Sequence, residues 1–264
     1  LEAKLKEIDN LRNHNVFTEE SNVKKPAIDV RWVITEKFQD GQKKTKARLV
    51  AKGFQENSEV RTDSPTCLKE NLRLVATIAV SKDWKIKSLD IKSAFLQGKD
   101  IDREVYLVPP QEIESRPNIL WKLNKTIYGL NDASRKWYLK VKETLENLGV
   151  TMSIYDEALF YYKEEGKLDG LIGTHVDDLL YVGSKNFEEK VIDKVREVFE
   201  ISKESSQSFN HLGLEIGESS SCISFSQSQY IDELTAIQNE NVTETEIKSK
   251  IGQLALLTRL DQIL

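Results

Sequence analysis

The chain has 264 residues and a net charge of −5, from 38 basic and 43 acidic side chains. That length allows one large domain, or two intertwined subdomains, around a sizeable core. Hydrophobic residues make up 39% and charged residues 31%, and no run approaches the roughly 20 apolar residues of a membrane-spanning helix, so no membrane partner is expected. Cys67 and Cys222 stand far apart in dissimilar contexts, which fits a reduced, intracellular protein without a disulfide framework. With His14, His175 and His211 they show no zinc-type spacing. The chain opens at Leu1 without a methionine and is expected to be a piece of something longer.

Residues 2–13 have the spacing of a short charged helix, with Leu5, Ile8 and Leu11 on one side. "DVRWVITEKFQ" (29–39), the turn "DGQ" and "TKARLVAK" (45–52) predict a β-hairpin. Its second arm is basic: Lys43, Lys44, Lys46, Arg48 and Lys52 fall in residues 41–55 without an acid among them. Taken alone, such a patch is a solvated loop; in an acidic chain it is also where an anionic partner would dock. Residues 64–83 read as a helix capped by Ser64, with Pro65 at its first position and Leu68, Leu72, Val75 and Ala79 inward.

"WKIKSLDIKSAF" (84–95) begins as a strand with Trp84 and Ile86 opposite Lys85 and Lys87, and "VYLVPP" (105–110) is a strand stopped by prolines. Residues 132–149 predict a helix with Asp132 as N-cap, a stripe of Trp137, Val141, Leu145 and Leu148, and Gly149 as its stop. A hairpin around "EEGK" and a further strand, "DLLYVG", follow. Residues 186–201 predict an amphipathic helix through Phe187, Val191, Val195 and Val198. "HLGLEI" (211–216) and "CISFSQ" read as β segments, 219–221 as a turn and 236–250 as a polar linker. The sum is an α+β protein, with helices packed on one face of a mainly antiparallel sheet and a hairpin-rich part inserted early.

One detail conflicts with that ordinary picture. "LIGTHVDDLLYVG" places Asp177 and Asp178 together inside an apolar run, where like charge and desolvation both disfavour them. A turn is the usual home of such a pair. The apolar flanks nevertheless predict a buried hairpin, and Asp90 closes another apolar strand. Carboxylates converging at strand ends suit hard divalent cations such as Mg²⁺, and two such ions about 4 Å apart suit phosphoryl transfer.

"LDIKSAFLQG", "WKLNKTIYGLNDASRKWY", "HVDD" and "HLGLEI" occur in this order, preceded by "KARLVAKGFQE" and "RTDSPTC". Together they resemble motifs A, B, C and E, and the fingers motifs, of copia-type retrotransposon reverse transcriptases, over roughly residues 25–235. The resemblance implies a right-hand polymerase palm and fingers with an incomplete thumb. Residues 1–24 would be a helical lead-in, 25–83 and 105–130 mainly fingers, 84–104 and 131–217 mainly palm, and 236–264 a truncated thumb or connection. It further implies RNA-directed DNA polymerisation with two Mg²⁺ (or Mn²⁺) ions held by Asp90, Asp177 and Asp178.

Ile91 would then lie beneath the nucleotide, and Phe95 would exclude a 2′-hydroxyl. Lys46 and Arg48 would grip the triphosphate, and Tyr128 and Gly129 would open motif B beside nucleotide and template. His175, where the family usually has tyrosine, would meet the primer end with Leu212, Gly213 and Leu214. Arg135 and Trp137 serve either the site or their helix, and Lys203 is a candidate proton donor to pyrophosphate. The implied partners are an RNA or DNA template–primer, dNTPs and the RNase H and integrase of a common polyprotein, whose motifs this chain lacks; the implied setting is the cytoplasm, in virus-like particles. A decayed copy that keeps the fold and binds nucleic acid without polymerising is the alternative. Motif B and "HLGLEI" argue against a palm-type nucleotidyl cyclase.

Overall fold

The computed structural model describes residues 1–39, 42–57, 59–219, 222–234 and 243–255. Helix α1 (Glu2–Asn13) buries Ile8, Leu11 and Glu7 and leaves Leu5 exposed. After β1 (Phe17–Ser21), β2 (Val30–Gln39) and β3 (Gln42–Ala51) form the basic hairpin, with Val30 opposite Ala51. The turn predicted at its tip lies largely outside the described residues. Then come α2 (Lys69–Lys82), β4 (Lys87–Ile91), β5 (Tyr106–Leu107), β6 (Ile119–Leu123) and α3 (Ala133–Asn147).

Strands β7 (Thr151–Met152), β8 (Leu159–Glu164), β9 (Lys167–His175) and β10 (Asp178–Gly183) follow as a meander. Helices α4 (Lys185–Phe187) and α5 (Asp193–Val198) are joined through a π turn at Glu188–Ile192. Strands β11 (Ile201–Ser206), β12 (Ser208–His211), β13 (Leu214–Glu218) and β14 (Ile223–Ser226) lead to α6 (Ser228–Asp232) and α7 (Glu244–Ala255).

The central sheet has six strands in the order β11-β4-β10-β9-β8-β7, and every pairing in it is antiparallel. Strand β10 explains why its sequence is apolar without alternation: both of its faces are covered. Leu179 and Tyr181 pack with Leu89, Trp137, Val141, Phe187 and Val195, beneath α3 to α5. Leu180 and Val182 pack on the other side with Leu72, Val75 and Ala79 of α2 and with Phe209, Leu214 and Ile216 of the β12-β13-β14 sheet. The α+β class is as expected, but helices cover both faces of the sheet and not one: α2 packs opposite α3 to α5, because the apolar side chains of β10 alternate to both sides. A separate core joins α1, β3, the β1-β6-β5 sheet and the start of α3 through Ile8, Leu11, Leu49, Leu107, Trp121 and Ala133.

Several boundaries depart from the sequence reading, each for a local physical reason. Helix α2 begins at Lys69: Cys67 N–H donates to Thr174 O of β9 (2.8 Å) and the Ser64 hydroxyl to Ser134 O of α3, so neither serves the helix start. Its N-terminus is satisfied from 88 residues away: Asp156 accepts from Leu68 N–H at 3.0 Å and also bonds Asn71. Leu68, predicted inward, is exposed. Asp132 does not cap α3; its carboxylate is taken by Arg103 (2.6 and 3.0 Å). The π turn adds one residue to a helical turn, so the stripe slips: Ile192 and Phe199 are buried and Val198 faces out. "HLGLEI" is the turn of a hairpin rather than one strand. Residues 244–250, read as linker, lie in α7. Most of the segment read as a truncated thumb (236–264) lies outside the described residues.

Asp156 also accepts Ala158 N–H at 2.9 Å, so one buried carboxylate satisfies three donors. Asp156→Ala is expected to lower the unfolding free energy by about 1–3 kcal/mol, measured by urea denaturation with an unchanged m-value.

Candidate active site

In the register of the central sheet, Asp178 stands opposite Asp90 of β4 and His175 of β9, and Lys203 of β11 stands opposite Asp90. Opposed residues of antiparallel strands point to one face. The line His175–Asp178–Asp90–Lys203 therefore crosses four adjacent strands, at the end of the face that α2 covers.

Asp177 lies in the two-residue connection between β9 and β10 and is exposed. Its carbonyl accepts Ile91 N–H at 2.8 Å, which ties the turn to β4. Val176 precedes it at φ +52°, in the left-handed region that a β-branched residue rarely adopts. The Trp137 indole N–H donates to Val176 O and holds the strained peptide from below. Trp137 thus positions the aspartate turn from inside the core.

Ser202 is the extra residue of a β-bulge, since Ile201 pairs with Ile91 and Lys203 with Asp90. A bulge re-aims side chains, and here the Ser202 hydroxyl donates to the Asp90 carboxylate and to Asp90 O (3.2 Å). Burial, and then the charges of Asp177 and Asp90, push the Asp178 carboxyl up to about 6. Those causes show that the three carboxylates feel one another. Among the described residues no three His, Cys, Asp or Glu side chains gather into a ready-made metal cage. The fit to a divalent cation rests on hard oxygen donors and on unrelieved mutual repulsion.

The residues expected at the nucleotide are brought together beside this line. Phe95 is half-buried, and its ring meets Tyr128 edge-on at 5.4 Å. The Arg48 guanidinium lies 5.4 Å from the Tyr128 ring centroid. Lys46 is exposed on the same strand. Two of the expected residues also have a structural task. The Ile91 N–H donates to Asp177 O and its side chain is buried in the sheet. Gly129, at φ +89°, is demanded by a neighbouring strand: an added Cβ would sit 2.2 Å from Ala51 O.

Of the residues expected at the primer end, Leu212 (φ +54°) and Gly213 (φ +74°) form the turn between β12 and β13. His211 is buried behind them and faces His175; burial first, and then the nearby His175, push His211 down to about 4. Arg135 reaches the Asp63 carboxylate at 2.8 Å and so serves the contact between α3 and the preceding loop. Sequence reasoning missed Ser202 and His211. A serine beside a bulge has no periodic signature, and His211 sat in a segment read as plain strand.

Residues 13–251 match the family profile described as reverse transcriptase (RNA-dependent DNA polymerase). The chain belongs to this family. It is 33% identical over 219 residues to the retrovirus-related Pol polyprotein from transposon RE1 of Arabidopsis thaliana, and 34% identical over 220 residues to that from transposon RE2. Each match covers 80% of this chain and 15% of the relative, so the reverse transcriptase spans about a seventh of the polyproteins it resembles. The corresponding polyprotein from transposon TNT 1-94 of Nicotiana tabacum is 31% identical over 194 residues, covering 69% of this chain and 14% of the relative. These relatives mark a copia-type retrotransposon reverse transcriptase domain. The structure of a foamy viral protease-reverse transcriptase in complex with ds DNA superposes at a TM-score of 0.52 and 13% identity, over 96% of this chain and 39% of that one, and supports the polymerase fold.

A carboxyl raised in the folded state favours the protonated form, so it stabilises below about pH 4 and that contribution is lost as pH rises through about 6. Asp178→Asn should melt at a higher temperature than the parent chain at pH 7, by about 1 kcal/mol after allowance for partial exposure. The difference should vanish near pH 4 in paired thermal melts.

Proposed function

We propose that this chain is the polymerising core of an RNA-directed DNA polymerase that adds dNTPs to a primer 3′-hydroxyl on an RNA or DNA template. The observation that carries the reading is the register placing Asp178 directly opposite Asp90 with Asp177 in the adjoining turn. Residues 25–83 and 105–130 act as fingers, and 84–104 and 131–217 as palm. Asp90, Asp177 and Asp178 are the groups that would hold divalent cations, Mg²⁺ or Mn²⁺. Bound there, such cations supply Lewis-acid stabilisation of the phosphoryl group and offset the repulsion among the carboxylates.

The protein's own groups do the rest. Arg48 and Lys46 bind the triphosphate, the guanidinium through its fork of donors and the lysine as a compact charge. The Phe95 ring occupies the space of a 2′-hydroxyl, and Tyr128 braces it from the edge. His175, Leu212 and Gly213 position the primer end, with buried His211 behind them. Lys203, opposite Asp90, is the cation placed to give a proton to the leaving pyrophosphate. The basic hairpin attracts template phosphates despite the acidic net charge.

Primer extension on poly(rA)/oligo(dT) with Mg²⁺ tests this directly. The chain should extend the primer, and Asp177→Asn should lower the rate by roughly a hundredfold or more, the scale of losing one charge-stabilising group at a reaction centre. No extension by the folded chain would contradict the reading and leave a remnant that only binds. Template–primer affinity should fall steeply as salt rises, and a flat dependence would contradict phosphate neutralisation by the hairpin.

A further inference from the structure

On α1 the acids Glu2 and Asp9 are exposed, while Glu7 is only 7% exposed. Burial pushes its carboxyl up, against the opposing influence of Asn10, the Leu49 backbone, Lys46 and Arg48. Those four neighbours place Glu7 beside the strand that carries the triphosphate cations. One helical turn on, Asn10 Nδ2 donates to Ser93 Oγ at 3.0 Å and lies 3.4 Å from Glu7 Oε2. Ser93 stands between Asp90 and Phe95, at φ +50°.

Tyr128 lies beside them. Burial pushes its hydroxyl up, and Glu7, Arg48 and Ser93 all act on it. Its ring lies 5.4 Å from the Arg48 guanidinium and meets Phe95 edge-on. Two strings of side chains therefore meet where α1 packs on β3: Glu7–Asn10–Ser93, and Arg48–Tyr128–Phe95. Within them, Glu7 Oε1 and Arg48 Nε are buried without a hydrogen-bond partner among the described residues. The carboxylate feels the charges of Lys46 and, less, of Arg48 without a direct ion pair to the guanidinium.

We propose that Glu7 is a positioning residue of the nucleotide pocket: with Asn10 it fixes Arg48 and Tyr128, and through Tyr128 the Phe95 ring. Helix α1 thereby sets both the affinity for the nucleotide triphosphate and the discrimination against a ribose 2′-hydroxyl. This rests on the polymerase reading above. A guanidinium kept against an aromatic ring in the field of a buried carboxylate loses less freedom when a triphosphate arrives. An aromatic gate braced edge-on yields less to an extra hydroxyl than an unbraced one.

Glu7→Gln keeps the side-chain length and its polarity but removes the charge, and Asn10→Ala removes the link to Ser93. Lys6→Ala, on the exposed side of the same helix, is the control. KM and kcat are measured for dTTP and UTP on poly(rA)/oligo(dT), with dTTP affinity for the template–primer complex measured separately by calorimetry in Ca²⁺. Glu7→Gln should raise the dTTP KM and dissociation constant roughly tenfold, the weight of about one charge-assisted contact, while kcat changes much less. Both Glu7→Gln and Asn10→Ala should narrow the preference for dTTP over UTP, and Lys6→Ala should match the parent chain.

Unchanged KM and sugar preference in an active Glu7→Gln would overturn this proposal and leave the polymerase reading standing. So would a loss of kcat and melting temperature with KM untouched, which would make Glu7 a simple anchor for α1. If the parent chain binds dTTP but does not extend, the affinity comparison still decides. If it neither binds nor extends, both readings fall.

Discussion

Like charge gathered at the end of a buried sheet is the constraint on which the rest of this fold depends. Asp90 and Asp178 face each other across two hydrogen-bonded strands, and Asp177 adjoins them in a turn. Left to themselves, partly desolvated carboxylates would separate or neutralise. The sheet prevents the first by fixing the backbone on every side: Ile91 N–H on Asp177 O, the Trp137 indole on Val176 O, and the Ser202 bulge on Asp90. Strand β10 is buried on both faces, so the turn cannot relax without disturbing both the α3–α5 core and the α2 core. Burial that would be a liability for a surface turn is what gives this one rigidity, and a rigid set of carboxylates is what a cation-dependent reaction centre needs.

The second constraint is how the basic hairpin is joined to that sheet. Ala51 N–H donates to Tyr128 O at 2.8 Å, and Gly53 and Gly129 approach so closely that a Cβ on either would sit 2.2 Å from a carbonyl oxygen. Arg103 adds a buried tie, reaching Glu56 on one side and Asp132 at the head of α3 on the other. Removing one member of such a group strands the others' charges in the interior. Arg48 on β3 is therefore held near Tyr128 and Phe95 by backbone contact as well as by side chains. Helix α1 lies against the same junction.

Much of this was legible in the sequence because the signals were local or strongly patterned. The apolar run around Asp177 and Asp178 pointed to a buried hairpin, and the second arm of the hairpin at 29–52 alternated. What could not be read were partners distant in sequence. Asp156 caps α2 from 88 residues away, so Ser64 and Pro65 looked like a helix start although Ser64 is tied to α3 and Cys67 to β9. Asp132 had the look of an N-cap until Arg103 claimed it. The π turn shifted a stripe by one residue, which no 3.6-residue template anticipates. The short strands β1 and β6 exist only because they pair with each other. Around the candidate site, the acids and the aromatic gate were visible as motifs, whereas Glu7, Ser202 and His211 became visible only when the fold brought them to the line.

The most direct test of the central constraint is an NMR titration of the side-chain carboxyl carbons, with and without Mg²⁺. Asp178 should titrate near 6, well above an ordinary aspartate at 3.8, and should shift down sharply when Mg²⁺ is added. An Asp178 that titrates like a free aspartate and ignores Mg²⁺ would mean that the carboxylates neither crowd one another nor share a cation, and would contradict the account.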